Sequence, residues 1–433
     1  MAASGDGSPV TAAVVLAVDR AEQPSERPRV LRRVGGVTVL ERSVRALRQA
    51  GIERIVVAVG AQDAQRVATI ASRCGSAEVV ASAAGPGCAE ASAVLAGLRV
   101  LGVPRCLIVT PDDIFESVDV RALVTTSTPN ALAVIHTADL DGAAHQSDGQ
   151  ARVRLDDAGR VVALGPDLEN FEALDAGLVV VDVNDLLSVA QDGQRSWREV
   201  LQSLAGAHQV RAVATRGLCA RVNTPAGVRA AERRMWRRYG PKPVDSIVAR
   251  LVYRRISGPI TRLLLRTKIT PDAATALAFA VTLGAAGLVA TGHAWLMPLG
   301  GIGVVLGCAL DGVDGELARI SGTASRRGAT LDTLLDRYAD LAVVAAVAVA
   351  AGATATAWAI GFAAAAGCLL VSYVHAVGRD TDVRLLLRRE FRLLILAAAA
   401  IAGFPLAGLI AVAVAANIDA VRGVVLLLRA MPR

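Results

Sequence analysis

The sequence predicts two unlike domains in one chain: a Rossmann-like α/β unit with helices on both faces of a sheet, followed by an all-α membrane unit. Three observations carry this. Short β-rich apolar runs alternate with amphipathic stretches through the first half, which is the pattern of βαβ units. Long uncharged runs fill the second half, for example 294–310 and 341–377. The charges divide with them: 27 Lys+Arg balance 27 Asp+Glu up to Gly240, and 19 face 12 beyond it. The whole excess of +7 therefore lies in the apolar half. That argues against a nucleic-acid footprint and for anionic headgroups or phosphorylated substrates.

In chain order, VTAAVVLAVD, RIVVAVG, AEVVAS and RCLIVT read as buried strands. Between them VLERSVRALRQAG, AQRVATIASRCG and CAEASAVLAGLRVLG read as helices closed by glycine. A mainly parallel sheet is expected, with ligands at the carboxyl ends of its strands. The start, MAASGDGSPV, lacks a basic stretch leading into an apolar core, so no secretory signal is expected. Six dispersed cysteines and five dispersed histidines lack metal-type spacing. Pro241 and Pro243 end a helix. The following segment, rich in Arg250, Arg254, Arg255, Arg262, Arg266 and Lys268 among apolar residues, predicts an amphipathic helix on a membrane surface. Domain limits of 1–238, 239–270 and 271–433 follow.

Six spans fit the remainder, near 272–292, 294–318, 328–351, 354–377, 391–404 and 406–426, the fifth being short for the roughly 20 residues a crossing needs. The connections TGHAW, AGATA and GFPLAG carry no Lys or Arg, while Arg319, Arg326, Arg327, Arg379, Arg384, Arg388, Arg389, Arg429 and Arg433 fall on the other side. The positive-inside rule makes that side, and the first domain with it, cytoplasmic at a plasma membrane.

The chemistry concentrates in DGVDGELARISGTASRRGATLDTLLD, residues 311–336. Asp311 and Asp314 are three apart, Asp332 and Asp336 four apart, so each pair can share one helix face. Carboxylates beside apolar spans persist where they line a polar cavity or meet a cation. Four oxygen donors suit a hard divalent ion such as Mg²⁺, and two such ions could clamp a phosphoryl displacement. Simple pairing with Arg319, Arg326, Arg327 or Arg337 would explain one isolated aspartate better than four in this register.

The pattern Asp-x2-Asp-Gly-x2-Ala-Arg-x8-Gly-x3-Asp-x3-Asp resembles the signature of the CDP-alcohol phosphotransferases, with all eight positions present. The resemblance implies a six-helix, typically dimeric membrane domain in which an acceptor alcohol attacks a CDP-alcohol and CMP leaves. It implies that Asp311, Asp314 and Asp332 hold one metal ion, and that Asp311, Asp332 and Asp336 share a second. Asp336 would be the catalytic base, while Gly315, Ala318, Arg319 and Gly328 would shape the CDP pocket. ITPDAAT, ahead of the first span, resembles that family's Thr-Pro-Asn-x-x-Thr segment. In LLLRREFRLLIL, Arg388, Arg389 and Arg392 are candidates for an acceptor phosphate, or for anchoring to headgroups.

The first half resembles nucleotidyltransferases that make CDP- or UDP-activated sugars and alcohols. Arg29 stands where those enzymes carry a lysine, and Asp112 of LIVTPDDIF where they carry a metal-binding aspartate. The departures are physical: Val18, Asp19, Arg20 and Ala21 replace the glycines that let backbone N–H groups crowd a triphosphate. Arg221 and Asn223 stand where the closing segment carries aspartates. A retired nucleotidyltransferase domain is the favoured reading, one still making the CDP-alcohol the alternative. The combination resembles two-domain enzymes that join CDP-inositol to inositol phosphate. A phospholipid synthase using CDP-diacylglycerol and a polyol, or its phosphate, is the runner-up, and a non-catalytic scaffold the reading from another class.

Overall fold

The computed structural model describes residues 9–18, 29–74, 77–82, 89–110, 112–139, 150–190, 196–240, 253–267, 269–378, 381 and 385–430. The expectations for Asp19, Arg20, Ala21, Cys88, residues 241–252, Lys268, Arg379, Arg384 and Arg433 lie outside these residues. The chain forms two compact units, Met1–Met235 and Trp236–Arg433.

The first unit begins with β1 (Ala12–Ala17), a hairpin of β2 (Arg33–Val34) and β3 (Val37–Thr38), and α1 (Val39–Gln49). Next come β4 (Arg54–Gly60), α2 (Ala64–Ala71), β5 (Glu78–Ser82), α3 (Ala89–Leu101), β6 (Arg105–Val109), β7 (Asp113–Ile114), α4 (Ser117–Val124) and β8 (Asn130–His136). They are followed by β9 (Arg152–Leu155), β10 (Val161–Gly165), β11 (Ala173–Asp182), α5 (Val183–Val189), α6 (Trp197–Ala207), β12 (Val210–Ala214) and β13 (Ala220–Arg221). Helix α7 (Pro225–Tyr239) carries the chain across the boundary.

The central path runs β10-β9-β11-β6-β1-β4-β5, with β8 on β11 and β12 on β8. β6, β1, β4 and β5 are parallel to one another. β11, however, runs antiparallel to β6, β8 and β9, so the sheet is mixed. Continuous apolar strands such as β11, nine of whose ten positions are buried, announce burial on both faces but not direction. Along β1 the pleat sends Ala12, Val14 and Leu16 into one core with α3 and α6. Ala13, Val15 and Ala17 go to the other, with α1 and α4. α1 starts where it does because Thr38 and Glu41 form a reciprocal capping box.

The second unit contains α8 (Arg254–Leu264), α9 (Pro271–Ala290), α10 (Leu296–Ser321), α11 (Arg326–Ala350), α12 (Ala355–Val377), α13 (Arg389–Ala402) and α14 (Pro405–Ala430). Side-chain hydroxyls set the starts: Thr270, Ser325 and Thr354 each accept from the backbone N–H three residues on. Gly322, at φ 67°, closes α10 in the left-handed region. α9, α10, α12 and α14 are long and apolar enough to cross a membrane. The other two of the six expected spans fall outside that class. α11 opens on a charged stretch, and the 14 residues of α13 reach about 21 Å at 1.5 Å each, less than a bilayer core. The chain is a multi-pass membrane protein.

Glycines let α10 approach its neighbours. A Cβ on Gly300 would sit 2.7 Å from both Ala285 O and Val289 N of α9, and one on Gly301 would sit 2.7 Å from Ala397 O of α13. Behind α10, α8 is fixed by Glu316, which is wholly buried. It accepts from Arg254 Nη1 at 2.5 Å, Ser257 Oγ at 3.3 Å and Thr261 Oγ1 at 2.7 Å. Trp236 packs against the other side of α8, with the Arg262 guanidinium 4.6 Å from its ring.

Candidate active site

The residues of the 311–336 motif meet where the C-terminal half of α10 faces the first half of α11. Asp311, Asp332 and Asp336 each offer a carboxylate oxygen within 4.8 Å of the others. Asp314 stands deeper, accepting from Thr275 Oγ1 of α9 and from the Gly315 amide. A cleft of about 230 Å³ opens beside them, and Asp314, Gly315, Ala318, Arg319, Gly328 and Asp332 line it. Small residues keep that cleft open: a Cβ on Gly328 would come within 3.3 Å of Asp272. Arg319 directs its Nε to Tyr239 O at 3.0 Å.

The donor set fits a hard divalent ion. Its ligands are all oxygens, and Asp332 Oδ1 is buried with no hydrogen-bond partner, a costly arrangement for a carboxylate unless a cation meets it. The positive charge now facing the group comes from Arg389 on α13, whose Nη1 lies 2.9 Å from both Asp311 and Asp336.

The three candidate acceptor arginines separate. Arg388 is exposed and precedes the first turn of α13. Arg389 is at the carboxylates. Arg392 is buried and donates to Cys368 O at 2.6 Å and Ser372 Oγ at 3.4 Å of α12. Thr275, the last residue of ITPDAAT, supports Asp314, and Asp340, which no motif singled out, binds Arg389 Nε at 2.8 Å. Asp340 extends the four-residue register of Asp332 and Asp336 by one step, which was its available signal. Asp419 and Arg422, three residues apart on α14, pair at 3.0 Å, and Asp419 also accepts from the Leu386 and Leu387 amides. His375 is exposed at the end of α12.

In the α/β unit, Asp112 and Asp113 follow β6 at the carboxyl end of the sheet. Each is bound to an arginine: Asp112 to Arg29 at 3.1 Å and Asp113 to Arg221 at 2.9 Å, all four buried.

Residues 13–222 match the MobA-like NTP transferase domain, and residues 268–426 match CDP-alcohol phosphatidyltransferase. A bifunctional IPC transferase and DIPP synthase of Rubrobacter xylanophilus is 36% identical over 435 residues, covering 96% of each chain. Another of that description, from Thermococcus kodakarensis, is 28% identical and covers 83% of this chain and 81% of its own. A phosphatidylinositol phosphate synthase of Corynebacterium glutamicum is 32% identical over 36% of this chain and 70% of its own. The chain belongs to the two-domain family of bifunctional IPC transferases and DIPP synthases, built from a nucleotidyltransferase-like unit and a CDP-alcohol phosphatidyltransferase membrane unit. It is a CDP-alcohol phosphotransferase.

Proposed function

We propose that this enzyme moves an alcohol-substituted phosphoryl group from a CDP-alcohol to an inositol-phosphate-type acceptor and releases CMP at the carboxylates of α10 and α11. The observation that carries this reading is the convergence of the motif: six of its eight positions line one cleft, and three of its carboxylates lie within 4.8 Å of one another. The acceptor class is supported by the names of the relatives, IPC transferase and DIPP synthase over the whole chain and phosphatidylinositol phosphate synthase over the membrane unit. CDP-diacylglycerol as donor is the second reading, favoured by the latter relatives.

Asp311, Asp314, Asp332 and Asp336 would hold two Mg²⁺ or Mn²⁺ ions. Bound there, such ions neutralise diphosphate charge. The chain's own residues do the rest. Gly315, Ala318 and Gly328 leave room for the CDP moiety, and Arg319 closes one wall. Asp336 takes the proton as the acceptor oxygen bonds to the β-phosphorus. The bond from that phosphorus to the bridging oxygen breaks, and CMP leaves with the oxygen and both bonding electrons. Arg388 and Arg389 would meet the acceptor phosphate, and Arg392 would hold the base of α13.

In this reading the six helices α9–α14 all span, α8 lies on the membrane surface, and the domains divide at about 238 and 270. The cleft and the α/β unit face the cytoplasm at the plasma membrane, and the enzyme is a homodimer. The α/β unit is retired as a cytidylyltransferase, since Asp112 and Asp113 are each tied to an arginine. The family's bifunctional members supply the alternative. Offering the purified full chain CTP and an inositol phosphate with Mg²⁺ separates the two: no pyrophosphate is expected, and sustained metal-dependent release would establish the alternative. A panel of CDP-alcohols and acceptors, read by product mass, tests the transfer itself.

A further inference from the structure

Arg389 opens α13, and its guanidinium is divided among three carboxylates of two other helices. Nη1 lies 2.9 Å from Asp311 Oδ2 and 2.9 Å from Asp336 Oδ1, while Nε donates to Asp340 Oδ1 at 2.8 Å. Asp340 is buried, one turn beyond Asp336, and belongs to no ligand cluster. Its other oxygen faces Arg337 at 3.5 Å and Arg392 at 3.8 Å. Only a planar, forked cation can serve two directions at once in this way; a lysine ammonium on its flexible stem has no such fixed edges.

Carboxylates at membrane depth need a positive partner whether or not metal has arrived. Here the carboxylates of Asp311, Asp336 and Asp340 face the guanidinium groups of Arg337, Arg389 and Arg392. A divalent ion taken up by Asp311 and Asp336 needs oxygens that Arg389 Nη1 already contacts, and two cations at such short range repel. The bond from Nε to Asp340 uses none of those oxygens and can persist through the exchange.

We propose that Arg389 is the built-in counter-cation of the carboxylate cluster, which incoming metal must displace, and that Asp340 is a positioning residue acting through Arg389. The proposal rests on the reading of Asp311, Asp332 and Asp336 as metal ligands. Arg389 holds the metal-free carboxylates together and weakens metal binding. After displacement, Asp340 keeps the guanidinium at the edge of the cluster.

The test is a Mn²⁺ titration of the full-length protein in detergent without substrates, with free Mn²⁺ read by electron paramagnetic resonance. Arg389→Gln is expected to bind Mn²⁺ at least about five-fold more tightly than wild type, the lower end of ordinary coupling between sites. Arg389→Lys, which keeps charge but loses the fork, is expected to fall between them, and it decides the matter if the glutamine variant aggregates. Asp340→Asn is expected to shift affinity the same way by a smaller factor and to add nothing to Arg389→Gln. Asp336→Asn tests the ligand reading: if it binds Mn²⁺ like wild type, that reading fails. If Asp336→Asn loses Mn²⁺ while neither Arg389 variant tightens binding, the counter-cation proposal fails alone. It fails equally if Asp340→Asn has the same effect with and without Arg389.

Discussion

Arg221 of β13 lies directly across from Asp113 of β7, its Nε 3.1 Å from Oδ1 and its Nη2 2.9 Å from Oδ2. Both side chains are only 2% exposed. Burial by itself would ease the proton off the guanidinium. Asp113, with Asp175 and Asp112 farther off, overturns that and holds Arg221 above its ordinary value. Arg221 therefore stays charged, and it engages both carboxylate oxygens of Asp113.

The pair makes the first prediction. Arg221→Leu leaves a buried carboxylate without its cation and should cost about 3–5 kcal/mol, whereas replacing both partners by apolar residues should cost far less. Thermal unfolding of the full chain, followed by a probe of the α/β unit, measures both; equal losses would show that the pair matters only for packing.

Helix packing in the membrane unit gives the second. Gly300→Val places new atoms against backbone of α9, which cannot rotate away as a side chain could. A loss of about 1–3 kcal/mol is expected from such overpacking. Gly284→Ala, with nothing within 4 Å of its added Cβ, is the control and should match wild type in thermal midpoint.

Glu316 supplies the third. Glu316→Leu removes the acceptor for Arg254, Ser257 and Thr261 together, leaving a cation and two hydroxyls facing apolar surface. A loss of about 3–5 kcal/mol is expected, and α8 should become cleavable by added protease. Protection equal to wild type would show that apolar contacts alone hold α8.

The cysteines of the α/β unit give a pH-linked prediction. Burial pushes the Cys106 thiol up to about 12, and burial with the nearby Asp119 and Asp113 raises Cys219 well above its usual range. The thiolate is the reactive form, and a raised value keeps these thiols neutral at pH 8. An alkylating reagent at that pH should spare both until the protein is denatured. Native labelling of either would contradict the burial assigned to them.

Much of this was legible in the sequence because its determinants are local. The spacings 311/314 and 332/336 put each pair of aspartates on one helix face. The alternation of strands and helices announced a mainly parallel sheet, but not that β11 runs antiparallel within it, since direction depends on connections rather than on residue pattern. The partners of Arg389 lie 78, 53 and 49 residues away in sequence at Asp311, Asp336 and Asp340, and no periodicity encodes such pairing. Glu316 was equally opaque: a charged residue inside a motif reads as solvent-facing until α8 is seen to cover it. Of the six expected spans, α11 and α13 do not reach the length and hydropathy of the other four, α11 because it carries the charges gathered into the site and α13 because it has only 14 residues.

The central claim is that CMP is released at the carboxylates of α10 and α11, and the most direct measurement is CMP formation by purified full-length protein given a CDP-alcohol panel and acceptors. With Mn²⁺ or Mg²⁺, steady CMP release is expected that stops on chelation and resumes when metal is restored. Asp336→Asn should stay folded in detergent yet lose the general-base contribution, about 10²–10⁴-fold or more. CMP release that survives chelation, or an Asp336→Asn enzyme turning over at near the wild-type rate, would contradict it.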